Sequence, residues 1–209
     1  SEPTPAALGY RMPAEWEPHE ATIIAWPHNI HDWPGRFQPI PWVFADIVRQ
    51  LSRTELVRIL VKDEGQENKA HRMLVRMGVN LSAVRFHRIP TNRIWTRDTG
   101  PIFVTREHNG RRELAITNWR FNAWAKYPDW QFDDAVPDQL AAELGLPEWK
   151  PVHGPEGRRV VLEGGSIDVN GAGLMLTTEE CLLDTKVQVR NPGFTREDYE
   201  KIFADYLGI

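Results

Sequence analysis

Apolar positions along this 209-residue chain follow two periods that take turns. The run Ala21-Thr22-Ile23-Ile24-Ala25-Trp26, closed by Pro27-His28-Asn29, is continuously apolar and predicts a strand covered on both faces. Beyond a Pro-, Trp- and Asp-rich loop, Val43, Phe44, Ile47, Val48 and Leu51 recur at three and four, the spacing of one helical face, so a helix is predicted from Trp42 to Leu51. Val57, Ile59 and Val61 then alternate as in a strand until Asp63-Glu64-Gly65 breaks the pattern. The cycle recurs with a helix from Glu67 to Met77, stopped by Gly78, and a strand over Val84–Ile89. Ile102–Thr105 and Leu114–Trp119 flank a turn in Glu107–Arg112 and predict a hairpin. A third helix is predicted over Asp133–Leu144, with Gly145 just beyond it, and strands over Val160–Leu162 and Gly173–Thr177 with Asn170-Gly171 turning between them. Thr195 with Asp198 has the spacing of a capping box and opens a last helix to Tyr206.

Strand and helix therefore cycle without a linker or low-complexity stretch, which predicts an α/β fold built from similar units around one centre. Residues 1–9, rich in Pro and Ala with no apolar period, are expected to be a flexible lead-in to one domain over 10–209.

Composition narrows the partners. Lys plus Arg is 25 against 29 for Asp plus Glu, a net charge of −4, so neither nucleic acid nor an anionic membrane is an expected partner, and a small cation suits the balance better. No apolar run approaches the roughly 18 residues that cross a bilayer, and Ser1-Glu2-Pro3-Thr4-Pro5 lacks the pattern of a secretion signal. A soluble, cytoplasmic protein is the expectation. The single Cys181 excludes an intrachain disulfide and a thiolate metal cluster. Nine Trp residues either fill cores or line a pocket.

Chemistry concentrates in Ile94-Trp95-Thr96-Arg97-Asp98-Thr99-Gly100-Pro101, where a loop meets the apolar Ile102-Phe103-Val104. Asp98 and Trp95 offer a carboxylate and a flat ring to a cation; the same Asp98 would equally pair with Arg97 or cap the turn. Glu163, at the end of a predicted strand before Gly164-Gly165, is a second candidate, with Arg158 or Arg159 as alternative structural partners. His28, His31 and Asp32 lack the spacing of a metal site on a helix and read as solvated loop residues.

Five stretches together resemble the agmatine deiminase and bacterial (Porphyromonas-type) peptidylarginine deiminase family: Met12-Pro13-Ala14-Glu15-Trp16-Glu17-Pro18-His19-Glu20, Ala25-Trp26-Pro27, Trp95 to Pro101, Phe121-Asn122-Ala123-Trp124, and Leu162-Glu163-Gly164-Gly165-Ser166-Ile167. Leu176 to Leu183 is similar as well. The resemblance implies the five-bladed α/β propeller (pentein) fold of guanidine-modifying enzymes, of which this chain supplies about three units. It implies hydrolysis of a guanidinium to a ureido group with release of ammonia, without metal or organic cofactor. Agmatine, giving N-carbamoylputrescine, is the leading substrate, with peptidylarginine or a free arginine derivative as alternatives. On this likeness Asp98 and Glu163 are catalytic, substrate-binding carboxylates, and Trp95 lies against the substrate. The family's nucleophilic Cys and its His match nothing here, so the chain is expected to be an N-terminal portion, and a non-catalytic guanidinium or amine binder is a rival reading. Cys181, flanked by Glu179 and Glu180, is a poor nucleophile and is expected to be a buried structural thiol. Two stretches depart from the family: Ala125-Lys126 stands where paired glycines are common, adding a positive charge that disfavours an amine-tailed substrate, and Asp184 to Pro192 differs from the usual connection. Pairing with a second copy is also possible, and a sugar site on the Trp residues is a weaker reading.

Overall fold

The structure, a computed structural model, describes residues 2–209, so residue 1 of the expected lead-in lies outside the described residues. The chain divides into two compact units, one over Pro18–Thr96 and the other formed by the segment up to Glu17 with Arg97–Ile209.

In the first unit the elements run β1 (Ala21–Ala25), α1 (Ile40–Leu51), β2 (Leu56–Leu60), α2 (Glu64–Arg76) and β3 (Val84–His87). The strands form a parallel sheet in the order β1-β2-β3, with Ala21 opposite Leu56 and Val57 opposite Val84. Parallel neighbours need crossovers, which α1 and α2 supply. Val57 and Ile59 pack in one fully buried cluster with Ala45, Val48, Ala70 and Leu74 of the helices. Both helices begin before their apolar periodicity does. Pro41, with its fixed φ, fits the first turn of α1. Asp63, expected only as a breaker, caps α2 by accepting from Gln66 N at 2.8 Å.

The second unit holds most of α3 (Thr96–Thr99), then β4 (Ile102–His108), β5 (Arg111–Thr117), α4 (Gln131–Asp134), α5 (Val136–Leu144), β6 (Glu148–Trp149), β7 (Val152–His153), β8 (Arg158–Arg159), β9 (Ile167–Val169), β10 (Met175–Thr177), α6 (Glu179–Leu183) and α7 (Arg196–Leu207). β4 and β5 make a hairpin about Asn109-Gly110, both with positive φ, as a two-residue turn requires. It runs longer than its apolar alternation because its tip pairs charged residues across the strands, Arg106 with Glu113 at 2.7 Å among them. The helix expected over Asp133–Leu144 is two helices: Pro137 has no N–H for the Asp133 carbonyl, and the ladder restarts at Val136.

Val160–Leu162 is not a ladder strand, though it is extended enough for one bridge, Val161 to Arg120. The Asn191 side chain takes its place in the pairing, donating to Val161 O at 2.8 Å and accepting from Val161 N at 2.9 Å. The pairing of β9 with β10 was not anticipated, because three residues alternating around Asp168 carry too little periodicity. Val104, Ala115, Val160, Tyr199, Ile202, Phe203 and Leu207 build this unit's core. The lead-in is tied to it: Ala6–Leu8 form a 3-10 turn, Trp149 Nε1 donates to Pro3 O at 3.1 Å, and Arg106 Nη1 donates to Leu8 O at 2.9 Å. Thr195 and Asp198 form the full capping box of α7. Each unit is thus a mixed α/β assembly on small sheets.

Candidate functional site

The division between units falls inside the chemically dense stretch, after Thr96. Asp98 and Glu163 belong to one unit and Trp95 to the other, so two of the three candidate side chains are brought together in one body.

Arg97 does not complete a simple pair with Asp98. Its Nη1 is hydrogen-bonded to Glu15, and its Nε donates to Gly164 O at 3.2 Å. The Asp98 carboxylate instead accepts from the Trp124 indole and from the Gly165 backbone N–H. The two glycines make this possible by absence of bulk. A Cβ on Gly164 would stand 2.6 Å from Arg97 O, and one on Gly165 would collide with Asp98 Oδ1. The loop after Glu163 therefore closes directly on α3.

Glu163 is fully buried. Its partner is Arg190, not Arg158 or Arg159: Arg190 Nε donates to Oε1 at 3.1 Å and to Oε2 at 3.3 Å. Arg158 is committed to Pro192 O at 3.0 Å and to the face of Phe194, and Arg159 to Asn118 O at 2.8 Å. Arg190 is itself buried and oriented, its Nη1 donating to Gln188 O and Gln188 Oε1, each at 3.1 Å. Burial pushes the Glu163 carboxyl above its usual range, the Arg190 charge opposes this, and the Asp98 charge adds to it. Asp98 is likewise raised by burial, against the Trp124 and Gly165 hydrogen bonds and the charges of Arg97 and Arg190. Glu163 thus feels the charge of Asp98, and both feel that of Arg190.

Trp124 sits in a strained turn. Ala123, Trp124 and Ala125 have φ of 52°, 59° and 57°, three consecutive non-glycine residues in the left-handed region. The Asn122 side chain holds the turn by accepting from Ala125 N at 3.0 Å, and the indole stands edge-on to Phe121 at 5.3 Å. Nothing in the apolar pattern announces this turn; the signal was the alanine at 125 where the resembling family carries glycine.

In the first unit, Trp95 is 44% exposed, with its ring 6.4 Å from Trp33, which lies 6.0 Å from Phe37. Thr96 Oγ1 anchors the chain here by donating to Ile23 O at 3.1 Å. His28, expected in solvent, is half-buried and 3.0 Å from Thr91 Oγ1, and burial lowers its pKa with help from Lys62. Among the described residues no group of three His, Cys, Asp or Glu is placed to hold a metal ion. Cys181 is partly buried on α6 against the core of the second unit, its N–H donating to the Thr178 cap at 3.2 Å.

A buried carboxylate beside a second, indole-held one is an arrangement for gripping a flat cation with several N–H donors. The sequence model of the Porphyromonas-type peptidyl-arginine deiminases matches residues 11–209. The chain belongs to this family. Among relatives with that fold of sequence, the agmatine deiminase of Ectopseudomonas mendocina (strain ymp) is 36% identical over 211 residues, covering 99% of this chain and 52% of the relative. That of Stutzerimonas stutzeri (strain A1501) is 35% identical over the same shares. Among solved structures, the agmatine deiminase of Enterococcus faecalis superposes with a TM-score of 0.83 at 30% identity, over 99% of this chain and 53% of that one. The chain therefore spans about half the length of the family members it matches.

Proposed function

We propose that this chain is the substrate-gripping, N-terminal part of a hydrolase that converts a guanidinium to a ureido group with release of ammonia, agmatine being the favoured substrate. The observation that carries the reading is the Asp98 carboxylate, held by the Trp124 indole and the Gly165 N–H next to buried Glu163. The names and half-length matches of the relatives support it. A guanidinium is a poor electrophile because its charge is delocalised, so it must be fixed before a strong nucleophile can add to its carbon. Asp98 and Glu163 do the fixing, and Trp95 offers a flat ring to a cation. The nucleophile is a thiolate contributed from outside these 209 residues, within a five-bladed propeller of which the two units form about three blades. It adds to the guanidinium carbon, ammonia departs with a proton from a histidine, and water cleaves the resulting thiouronium to the urea, returning the thiol.

The test is ammonia release from agmatine by the natural protein. Asp98→Ala is expected to lower kcat/KM by more than a hundredfold at unchanged circular dichroism, in line with loss of a charge-assisted grip on a transition state. Full activity in that variant would end the assignment. One observation favours a second substrate: Lys126, exposed directly after the Trp124 turn, sets a positive charge beside the loop that holds Asp98. A substrate with a carboxylate tail, such as an arginine derivative, is better matched to it than an amine tail. Lys126→Gly should shift the ratio of kcat/KM values toward agmatine if that charge counts.

A further inference from the structure

The Asp184–Pro192 segment carries a guanidinium that lies inside the site, that of Arg190. Arg190 reaches Glu163 through Nε alone, bridging both carboxylate oxygens at 3.1 and 3.3 Å, while Nη1 is turned back onto Gln188. Its neighbour Asn191 clasps both backbone groups of Val161 and accepts no freedom of its own, since its Nδ2 also donates to Tyr199 OH at 2.8 Å. Two consecutive residues thus button the segment onto the strand-like stretch that ends in Glu163. Arg190 and Glu163 are 3% and 0% exposed at their side chains, so the pair is out of solvent and its charges act at short range with little screening.

We propose that Arg190 is a positioning residue of the guanidinium site: it fixes the orientation of Glu163 and serves as a resident counter-ion to Glu163 and Asp98, leaving one uncompensated negative charge for an incoming cation. The inference rests on the function proposed above, in which those carboxylates receive the substrate. A buried carboxylate that also feels the charge of a second carboxylate does not stay ionised unaided. The groups facing them supply the balance: Arg190 toward both, Arg97 and the Trp124 and Gly165 donors toward Asp98, and the neutral Tyr199 hydroxyl beside the Glu163–Arg190 pair. Arg97 is a weaker candidate for the role, because its guanidinium is spent on Glu15 and Gly164. A second cation that arrives must therefore find the negative charge that Arg190 has left unmatched, and find it already pointing at the ligand.

The experiment combines two readouts on the natural protein and on Arg190→Gln, Arg190→Lys and Gln188→Ala. In the ligand-free protein, carbon-13 NMR of the Glu and Asp side-chain carboxyls, assigned with Glu163→Gln and Asp98→Asn, is expected to show Glu163 and Asp98 titrating at higher pH in Arg190→Gln. Calorimetry with agmatine is expected to show about tenfold or greater weakening at pH 7 in that variant, as for a buried charge left unpaired, with the deficit shrinking towards pH 9 as the carboxyls ionise. Arg190→Lys should restore the charge and part of the affinity. Gln188→Ala, which keeps the charge but frees Nη1, should fall in between, and it keeps the test open if Arg190→Gln does not fold. Carboxyl titrations that do not move, a binding deficit equal at every pH, or tighter binding in Arg190→Gln, as for a resident competitor of the substrate, would each overturn the proposal. Failure of the wild-type protein to bind agmatine would sink the functional reading instead, while the titrations would still report on Arg190.

Discussion

Two regions offer themselves to a ligand, and they are built in opposite ways. In the cluster of Asp98, Glu163 and Arg190 the last two are buried and Asp98 is half-buried, and each member is held by named hydrogen bonds. The aromatic surface of Trp33 and Phe37, on a Pro-rich loop, and of Trp95, just before α3, is held by ring contacts about 6 Å apart, with Trp95 nearly half exposed. Charge must be fixed in advance, because an unpaired buried carboxylate is costly and a misdirected one cannot discriminate. A ring needs only to be present and able to lie flat, so it tolerates an open loop. The difference teaches that charged groups are set in place by fixed partners in the first region, while the second presents rings without fixing them.

If that contrast is sound, the largest effect belongs to the buried pair. Arg190→Met leaves Glu163 without its counter-charge in an interior position and should lower stability by about 3–5 kcal/mol in urea unfolding. A loss below about 1 kcal/mol would mean that the pair is solvated in practice. Gly165→Ala comes next. Its Cβ has no room beside Asp98 Oδ1, so the loop must move, costing about 1–3 kcal/mol together with most of the heat of agmatine binding. Retention of wild-type affinity would show that Asp98 does not depend on that approach.

Smaller still is the effect of relieving strain. Ala125→Gly at φ 57° should raise stability by about 1 kcal/mol, since glycine adopts the left-handed region freely and this gain exceeds its added entropy in the unfolded chain. A lower urea midpoint would refute the strain. Trp95→Ala, on the exposed side of the comparison, should change stability by less than about 0.5 kcal/mol while weakening ligand binding several-fold, the size of a partly hydrated cation–ring contact.

Charge in the second unit also divides by pH. Glu17, hydrogen-bonded to Arg11 and to Ala14 N and close to Arg112, is lowered from 4.5 to about 2. A depressed carboxyl stabilises the fold above its unfolded pKa and loses that contribution as pH falls through the folded one, so the stability gap between wild type and Glu17→Gln should close between pH 4.5 and 2. Asp98 and Glu163 are raised and carry the opposite sign: their contribution is complete below the unfolded pKa and is lost as pH rises through the folded values. A gap for Glu17→Gln that stayed constant over that window would remove Glu17 from the acid limb.

Most of the first unit was legible in the sequence because each of its elements buries one face in one core, and Val57, Ile59, Ala70 and Leu74 carry that periodicity openly. The second unit was harder to read where backbone pairs with something other than a strand, as at Val161, whose partner is an asparagine side chain 30 residues on. The candidate site divides along the same line. Asp98, Glu163 and the two glycines were visible through the motifs they occupy. Arg190 was not, since a charge at a chain position says nothing about burial, and it fell in the stretch that departed from the resembling family. The strain at Trp124 is a property of φ, which no residue type at that position would disclose.

The most direct measurement is calorimetric titration of agmatine into the natural protein and into its Asp98→Ala counterpart at pH 7. Saturable binding to the first, reduced by at least about a hundredfold in the second while its unfolding remains cooperative, is the predicted result for a charge-assisted grip. Equal binding by the two proteins would contradict it.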